Sequence, residues 1–275
     1  MSNCDNCPSK EGCTSQENCT IENNPYNHIK CVIGVMSGKG GVGKSTISTM
    51  LARTLNVRGH SVGIMDADIT GPSIPRLLSI ENTKVRGSEL GIIPVKSPEG
   101  IEVISLNLFM EDEEQPVIWR GPLIAGAVKQ FWTDVLWGNL DYLIIDLPPG
   151  TGDVALTVMQ SIPINGMVMV STPQDMVSMI VAKSINMVKT MNIPILGVVE
   201  NMSYMICPQC GKKIDIFGDS NIDIFLDRQD IKLLGKLPMS KDLASVAENN
   251  ENNMQNDIIN TFNSIIDKID SSLNL

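Results

Sequence analysis

One nine-residue stretch, GKGGVGKST (Gly38 to Thr46), limits what this chain can fold into more than any other. It fits the pattern G-x-x-x-x-G-K-[ST] and follows CVIGVMS (Cys31 to Ser37), an apolar run of the kind found in strands buried on both faces. It leads into KSTISTMLARTLNVRG, which reads as a helix ending at Gly59. Strand, glycine loop and helix together give the pattern its physical meaning. Glycines let successive backbone N–H groups turn inward onto phosphate oxygens, and the helix N-terminus adds partial positive charge. Gly38, Lys39, Gly40, Gly41, Val42, Gly43, Lys44, Ser45 and Thr46 are therefore candidate nucleotide-binding residues. Lys44 is expected to reach the β- and γ-phosphates, and the Ser45 hydroxyl to ligate Mg2+.

The strand–loop–helix pattern then repeats. SVGIMDAD, IEVISL (Ile101 to Leu106), DYLIIDLPPG, GMVMVSTPQD, PILGVVENM and IKLLGKLP read as strands, with a helix from about Asp175 to Met191. Such alternation implies parallel pairing through right-handed crossovers. The expected fold class is α/β, a doubly wound, mostly parallel sheet. Its domain covers 29–275, after a Cys-rich segment at 1–28. A CxxC insertion lies near 201–217, and ENNENNMQN forms a short linker. Ile258, Ile259, Phe262, Ile265, Ile266, Ile269 and Leu273 lie on one face of a C-terminal helix. Asn260, Asn263, Asp267, Lys268 and Asp270 line its polar face, which suits docking on the core and not a membrane surface.

Acidic residues fall where a phosphate loop needs them. Asp146 ends the run DYLIID, as an aspartate holding Mg2+ through water would. Gly150 and Gly152 give the next loop freedom to respond to a γ-phosphate. Asp153 is placed either there or as the cap of the following helix. Asp66 and Asp68 end the second strand; Asp68 is expected to position the attacking water and Asp66 to support Mg2+.

A net charge of -10 opposes non-specific binding to nucleic acid or an anionic membrane, so neither is an expected partner. No apolar leader and no long apolar span is visible, so a cytoplasmic location is expected. There the seven cysteines read as thiols or metal ligands before disulfides. Cys31 begins a core strand. Cys4, Cys7, Cys13 and Cys19 crowd the polar N-terminus. Cys207 and Cys210 form a CPQC pair, a spacing that can grip a metal, close a disulfide, or do nothing.

Taken together, SGKGGVGKST, DADITGPSIPRLL, LPPGTGDV, TPQDMVSMIVAKSINM and GVVENMSYMICPQCG resemble the Mrp/ApbC/Nbp-type P-loop iron–sulfur carrier ATPases, over about Lys30 to Met239. The early lysine, Lys39, resembles the signature of the deviant Walker A class, which includes MinD, ParA, ArsA-like ATPases and the nitrogenase iron protein. The resemblance implies ATP and Mg2+ as ligands, and a homodimer in which Lys39 reaches the partner's nucleotide. It further implies a 4Fe–4S cluster bridged by Cys207 and Cys210 of both chains and passed to recipient apo iron–sulfur proteins. Asn201 would lie near the nucleotide base; Arg120 in WRGP matches the family without an assigned role. CDNCPSKEGC resembles the last three cysteines of an N-terminal cluster motif in eukaryotic cytosolic scaffold proteins. The upstream cysteine of that motif is missing, and Cys19 would stand in for it. Iron–sulfur, zinc and a plain tail all stay open for that segment. The competing readings are a zinc-stapled regulatory or scaffold ATPase, a MinD- or ParA-type positioning ATPase, and a reductase like the nitrogenase iron protein.

Overall fold

The computed structural model describes residues 21–68, 71, 73–110, 121–174, 179–216, 222–244 and 256–275. Cys4, Cys7, Cys13, Cys19, Arg120 and the Asn-rich linker lie outside them. In chain order the elements begin with β1 (His28–Ser37), α1 (Lys44–Val57), β2 (Val62–Asp66), α2 (Ile74–Leu77), β3 (Arg86–Ser88), β4 (Gly91–Ile93), β5 (Val95–Lys96) and β6 (Glu102–Ile104). A 3-10 turn (Leu106–Phe109), α3 (Gly121–Thr133), β7 (Asn139–Asp146), α4 (Asp153–Ser161), β8 (Gly166–Ser171) and α5 (Met179–Thr190) follow. The chain closes with β9 (Ile195–Ile206), β10 (Lys213–Ile214), α6 (Ile222–Gln229), β11 (Leu233–Pro238), α7 (Lys241–Ala244) and α8 (Asn256–Leu273).

The sheet order is β10-β9-β8-β1-β7-β2-β6-β5, with β11 also on β9. Every pairing from β11 through β6 is parallel; only β5 and β10 run antiparallel. This is the expected doubly wound sheet. Alternate residues of β1 feed two cores. Cys31, Ile33 and Val35 face α1 and α8, while Val32 and Met36 join a second cluster with Val128 and Trp132 of α3, Val158 of α4 and Ile185 of α5. Covering both faces is what permits strands with no polar alternation. The sheet's C-terminal edge gathers the ends of β1, β2, β7, β8 and the middle of β9, which is where ligands bind in such folds.

Helix α8 docks as its pattern requires. Ile258, Phe262, Ile265, Ile266 and Ile269 are buried, Tyr142 donates to Asp270 at 2.9 Å, and Arg58 pairs with Asp267 at 2.8 Å. Phe262→Ala should lower stability by about 3–5 kcal/mol, because the ring is fully buried and its loss leaves a ring-sized void in the core. Chemical denaturation of the two proteins measures this. A shift under about 1 kcal/mol would show that the helix adds little to the core.

Residues 21–27, assigned above to the tail, are tied to the domain. Trp132 Nε1 donates to the Ile21 carbonyl at 2.9 Å, and Asn27 Nδ2 donates to the Val135 carbonyl at 2.8 Å. Asn27 Oδ1 accepts from Gly138 N–H at 3.0 Å. The sequence also left α3, the β3–β4 hairpin and α6 unassigned, and ended β9 at Met202.

Candidate functional site

The loop after β1 turns through left-handed Gly41 and Gly43, at φ +80° and +83°, and Gly43 caps α1. It walls a cavity of about 380 Å3 lined by Gly40, Gly41, Gly43, Lys44, Ser45 and Thr46, with Asp68, Ser73 and Pro149 opposite. The loop after β7 is anchored to it, since Gly150 N–H donates to the Ser37 carbonyl at 2.8 Å. Gly152 is the N-cap of α4, so Asp153 is that helix's first residue and not its cap. Lys39 is exposed on the loop.

Lys44 is buried, and its Nζ lies 2.8 Å from Asp146 Oδ2 and 3.4 Å from Asp68 Oδ2. Burial alone would pull its pKa down. The carboxylates of Asp146, then Asp68 and Asp66, outweigh that and hold it above the ordinary value. Asp146 is gripped on both oxygens: Ser45 Oγ donates to Oδ2 at 2.5 Å and Ser48 Oγ to Oδ1 at 2.7 Å. Ser45, Asp68 and Asp146 thus converge as hard oxygen donors around a lysine, a set whose chemistry fits Mg2+ beside phosphate.

The two strand-end aspartates separate. Asp68 lines the cavity, whereas Asp66 does not and is fully enclosed. Asp66 Oδ1 accepts the Asp68 backbone N–H at 3.1 Å, and Ser105 Oγ donates to Oδ2 at 3.0 Å. Burial, then the charge of Asp146, pushes the Asp66 carboxyl up to about 8.

Asn201 reaches the loop from β9. Its Nδ2 donates to the Val42 carbonyl at 2.9 Å, and a Cβ on Gly43 would sit 2.3 Å from that nitrogen. Glycine at 43 therefore serves the left-handed turn and the close approach of Asn201 at once. Beyond Met202, itself left-handed at φ +54°, β9 continues to Ile206 and pairs with β10.

CPQC forms the tip of that hairpin. Cys207 N–H donates to the Lys212 carbonyl and Gly211 N–H to the Cys207 carbonyl, both at 2.9 Å, with Gly211 left-handed at φ +68°. Both thiols are free; Cys207 is partly exposed and Cys210 exposed. Backbone N–H groups of Cys210 and Gln209 point at the Cys207 sulfur and lower its pKa, favouring thiolate. Among the described residues no group of three or more His, Cys, Asp or Glu side chains is placed to hold a metal ion. The described chain therefore offers this thiol pair and nothing to complete it.

Ser48 and Ser105 were missed in the sequence. Ser48 had one legible signal: it lies three residues after Ser45, on the same face of α1.

A family profile described as "NUBPL iron-transfer P-loop NTPase" matches residues 28–273. An iron-sulfur cluster carrier protein of Clostridium perfringens is 47% identical over 257 residues, covering 90% of each chain. One from Methanocaldococcus jannaschii is 47% identical over 242 residues, covering 86% of this chain and 83% of its own. Among solved structures, a nucleotide-binding protein of Archaeoglobus fulgidus in complex with ADP aligns with TM-score 0.71 at 43% identity. That alignment covers 80% of this chain and 86% of the other. The cell division ATPase MinD of Pyrococcus furiosus aligns with TM-score 0.63 at 19% identity, over 88% of this chain and 99% of its own, a likeness of fold alone.

Proposed function

We propose that this chain, which belongs to the NUBPL iron-transfer family of P-loop NTPases, is an ATP-hydrolysing iron–sulfur cluster carrier that works as a homodimer. One observation carries the reading. A single strand, β9, holds the phosphate loop through Asn201 and, six residues on, presents the open thiol pair at Cys207. Roughly 20 Å of chain at most joins the two sites. A zinc staple or a positioning ATPase gains nothing from the comparisons, since the 47% identical relatives are named as carriers.

In this reading the cluster is cargo. Cys207 and Cys210 of two protomers would supply the four thiolates that a 4Fe–4S cluster takes. The loop from Gly38 to Thr46 binds the phosphates of ATP through backbone N–H groups. Lys44 exchanges its aspartate partners for the β- and γ-phosphates. Mg2+, when bound, would neutralise phosphate charge beside Ser45 and Asp146. Lys39 reaches the nucleotide of the partner subunit, so turnover needs two chains. Asn201 steadies the loop through the Val42 carbonyl and lies near the base. Recipient apo iron–sulfur proteins take the cluster from the exposed hairpin tips. Cys4, Cys7, Cys13 and Cys19 would hold a second metal centre.

Asp68 orients the attacking water. For Asp66 we read a supporting part, since its Oδ1 accepts the Asp68 backbone N–H and so steadies the backbone that carries Asp68. Asp68→Asn should therefore lower ATP turnover by about a hundredfold or more, and Asp66→Asn by less than about tenfold. Asparagine at 66 also mimics the protonated acid. The raised carboxyl keeps its proton in the folded chain while the unfolded chain loses it above about pH 4. Its contribution is thus complete at low pH and lost as pH rises through about 8. Asp66→Asn should flatten that loss in metal-free thermal melts between about pH 6 and 8. Equal turnover losses in the two variants would reject the division of roles.

The carrier reading itself is tested by transfer. Reconstituted protein, freed of excess iron, is mixed with an apo 4Fe–4S dehydratase whose activity reports the cluster. Recovery of dehydratase activity that resists a chelator is expected. Recovery no faster than from free iron and sulfide would remove the carrier role.

A further inference from the structure

We infer that Ser48 is a positioning residue for the Mg2+–nucleotide site, acting through Asp146. The inference rests on the nucleotide reading above and extends it past the phosphate-loop pattern, which stops at Thr46.

Ser48 is fully buried and does not line the cavity, so it cannot touch a ligand. Its hydroxyl has one proton and two acceptors in reach, the Lys44 carbonyl at 3.1 Å and Asp146 Oδ1 at 2.7 Å. A helical serine can always bond the carbonyl one turn back. Here the shorter contact goes to a carboxylate, the stronger acceptor. Ser45 takes the other oxygen, Oδ2, which Lys44 also approaches. Two serines one helical turn apart thus define the plane of a carboxylate on β7.

The two bonds differ in what becomes of them. Ser45 and Lys44 both face the cavity and must serve phosphate and Mg2+ when these are present. Ser48 does not line the cavity and, among the described residues, its one charged partner is Asp146. It is the contact on Asp146 that persists through binding and release, and it keeps Oδ2 on the side of Ser45 and Lys44, which line the cavity, when those two let go. Without it the carboxylate is free to rotate about χ2, a broad torsion for aspartate. Outer-shell hydrogen bonds of this kind are typically worth 10- to 100-fold in metal affinity or activity.

The test measures ADP binding by calorimetry, with Mg2+ titrated and with EDTA, alongside melting of the metal-free protein. Wild type should bind ADP more tightly with Mg2+; if it does not, the nucleotide reading fails, whatever Ser48 does. Ser48→Ala should raise the Mg2+ concentration needed for that gain by about tenfold and leave EDTA affinity within about twofold. Ser48→Cys, nearly the same size but a weak donor, should behave likewise and serves if the alanine variant does not fold. Ser48→Thr, which keeps the hydroxyl, should restore the wild-type Mg2+ response. The inference is overturned if alanine and cysteine leave the Mg2+ dependence unchanged. It is equally overturned if they weaken ADP binding by the same factor with and without Mg2+.

Discussion

Lys44→Ala is expected to cut ATP turnover by at least about a hundredfold, the scale seen when one preorganised donor to developing charge is lost. No other described cation lines the cavity wall, so no neighbour can substitute for it there. The same change should also weaken the empty protein. Lys44 stands against Asp146 and Asp68, both buried, and removing one partner of a buried ion pair typically costs about 3–5 kcal/mol. Asp146 keeps its two serine donors, so the lower end of that range is expected. A loss of activity alone would therefore be ambiguous between chemistry and folding. Turnover measured at a temperature where circular dichroism shows the variant still folded separates them: lost chemistry stays lost there. Wild-type turnover in the variant would end the phosphate-loop assignment. Turnover restored once the variant is kept well below its melting temperature would make Lys44 a folding residue.

The parts of this site that the sequence shows are those where one residue type is forced by backbone or charge. GKGGVGKST is legible because left-handed turns and inward N–H groups demand glycine, and β1, β2 and β7 are legible because strands buried on both faces must be apolar throughout. Asp146, Asp66 and Asp68 stand out as charges ending such runs. Separating Asp66 from Asp68 needed three dimensions, since two positions of the same strand parity look alike in sequence and only the fold shows that Asp66, the last residue of β2, is the one set against Ser105 and Asp146. Ser105 was invisible because serine is common on any loop, and the one signal for Ser48, its spacing from Ser45, is common on any helix. The end of β9 was lost for a local reason. Met202 is left-handed, and β9 and β11 shift register between Lys236 and Pro238, so the pattern of a strand breaks while the strand goes on. CPQC consequently looked like a separate insertion. It is the turn of a hairpin whose first strand touches the nucleotide loop at Asn201. Helix α3 hid behind its composition: GPLIAGAVKQFWT opens with glycine and proline and carries a second glycine, yet Ile124, Val128, Phe131 and Trp132 keep helical spacing and are buried.

Cys207→Ala/Cys210→Ala should remove about four iron atoms per dimer after anaerobic reconstitution, along with the brown thiolate-to-iron absorbance. The hairpin makes this a clean test. Its turn is held by backbone bonds from Cys207 N–H to Lys212 and from Gly211 N–H to Cys207, neither of which involves sulfur. Both side chains are at least partly exposed, so truncation leaves no cavity. Asn201 lies upstream and keeps its bond to Val42, so ADP affinity should stay within about twofold of wild type. Iron lost while ADP still binds assigns the thiols to cargo. Iron and ADP lost together would mean that the hairpin had taken the loop with it. The N-terminal cysteines need their own arm, and where the cut falls matters. Removing residues 1–20 takes Cys4, Cys7, Cys13 and Cys19 but spares Ile21 and Asn27, which bond to Trp132, Val135 and Gly138. If the shortened chain keeps the hairpin iron and loses a second share, the chain carries two centres. If the double variant retains its full iron, Cys207 and Cys210 are not ligands. If wild type comes out colourless and holds zinc, the cargo reading falls and the thiol pair is a staple between two ATPase subunits.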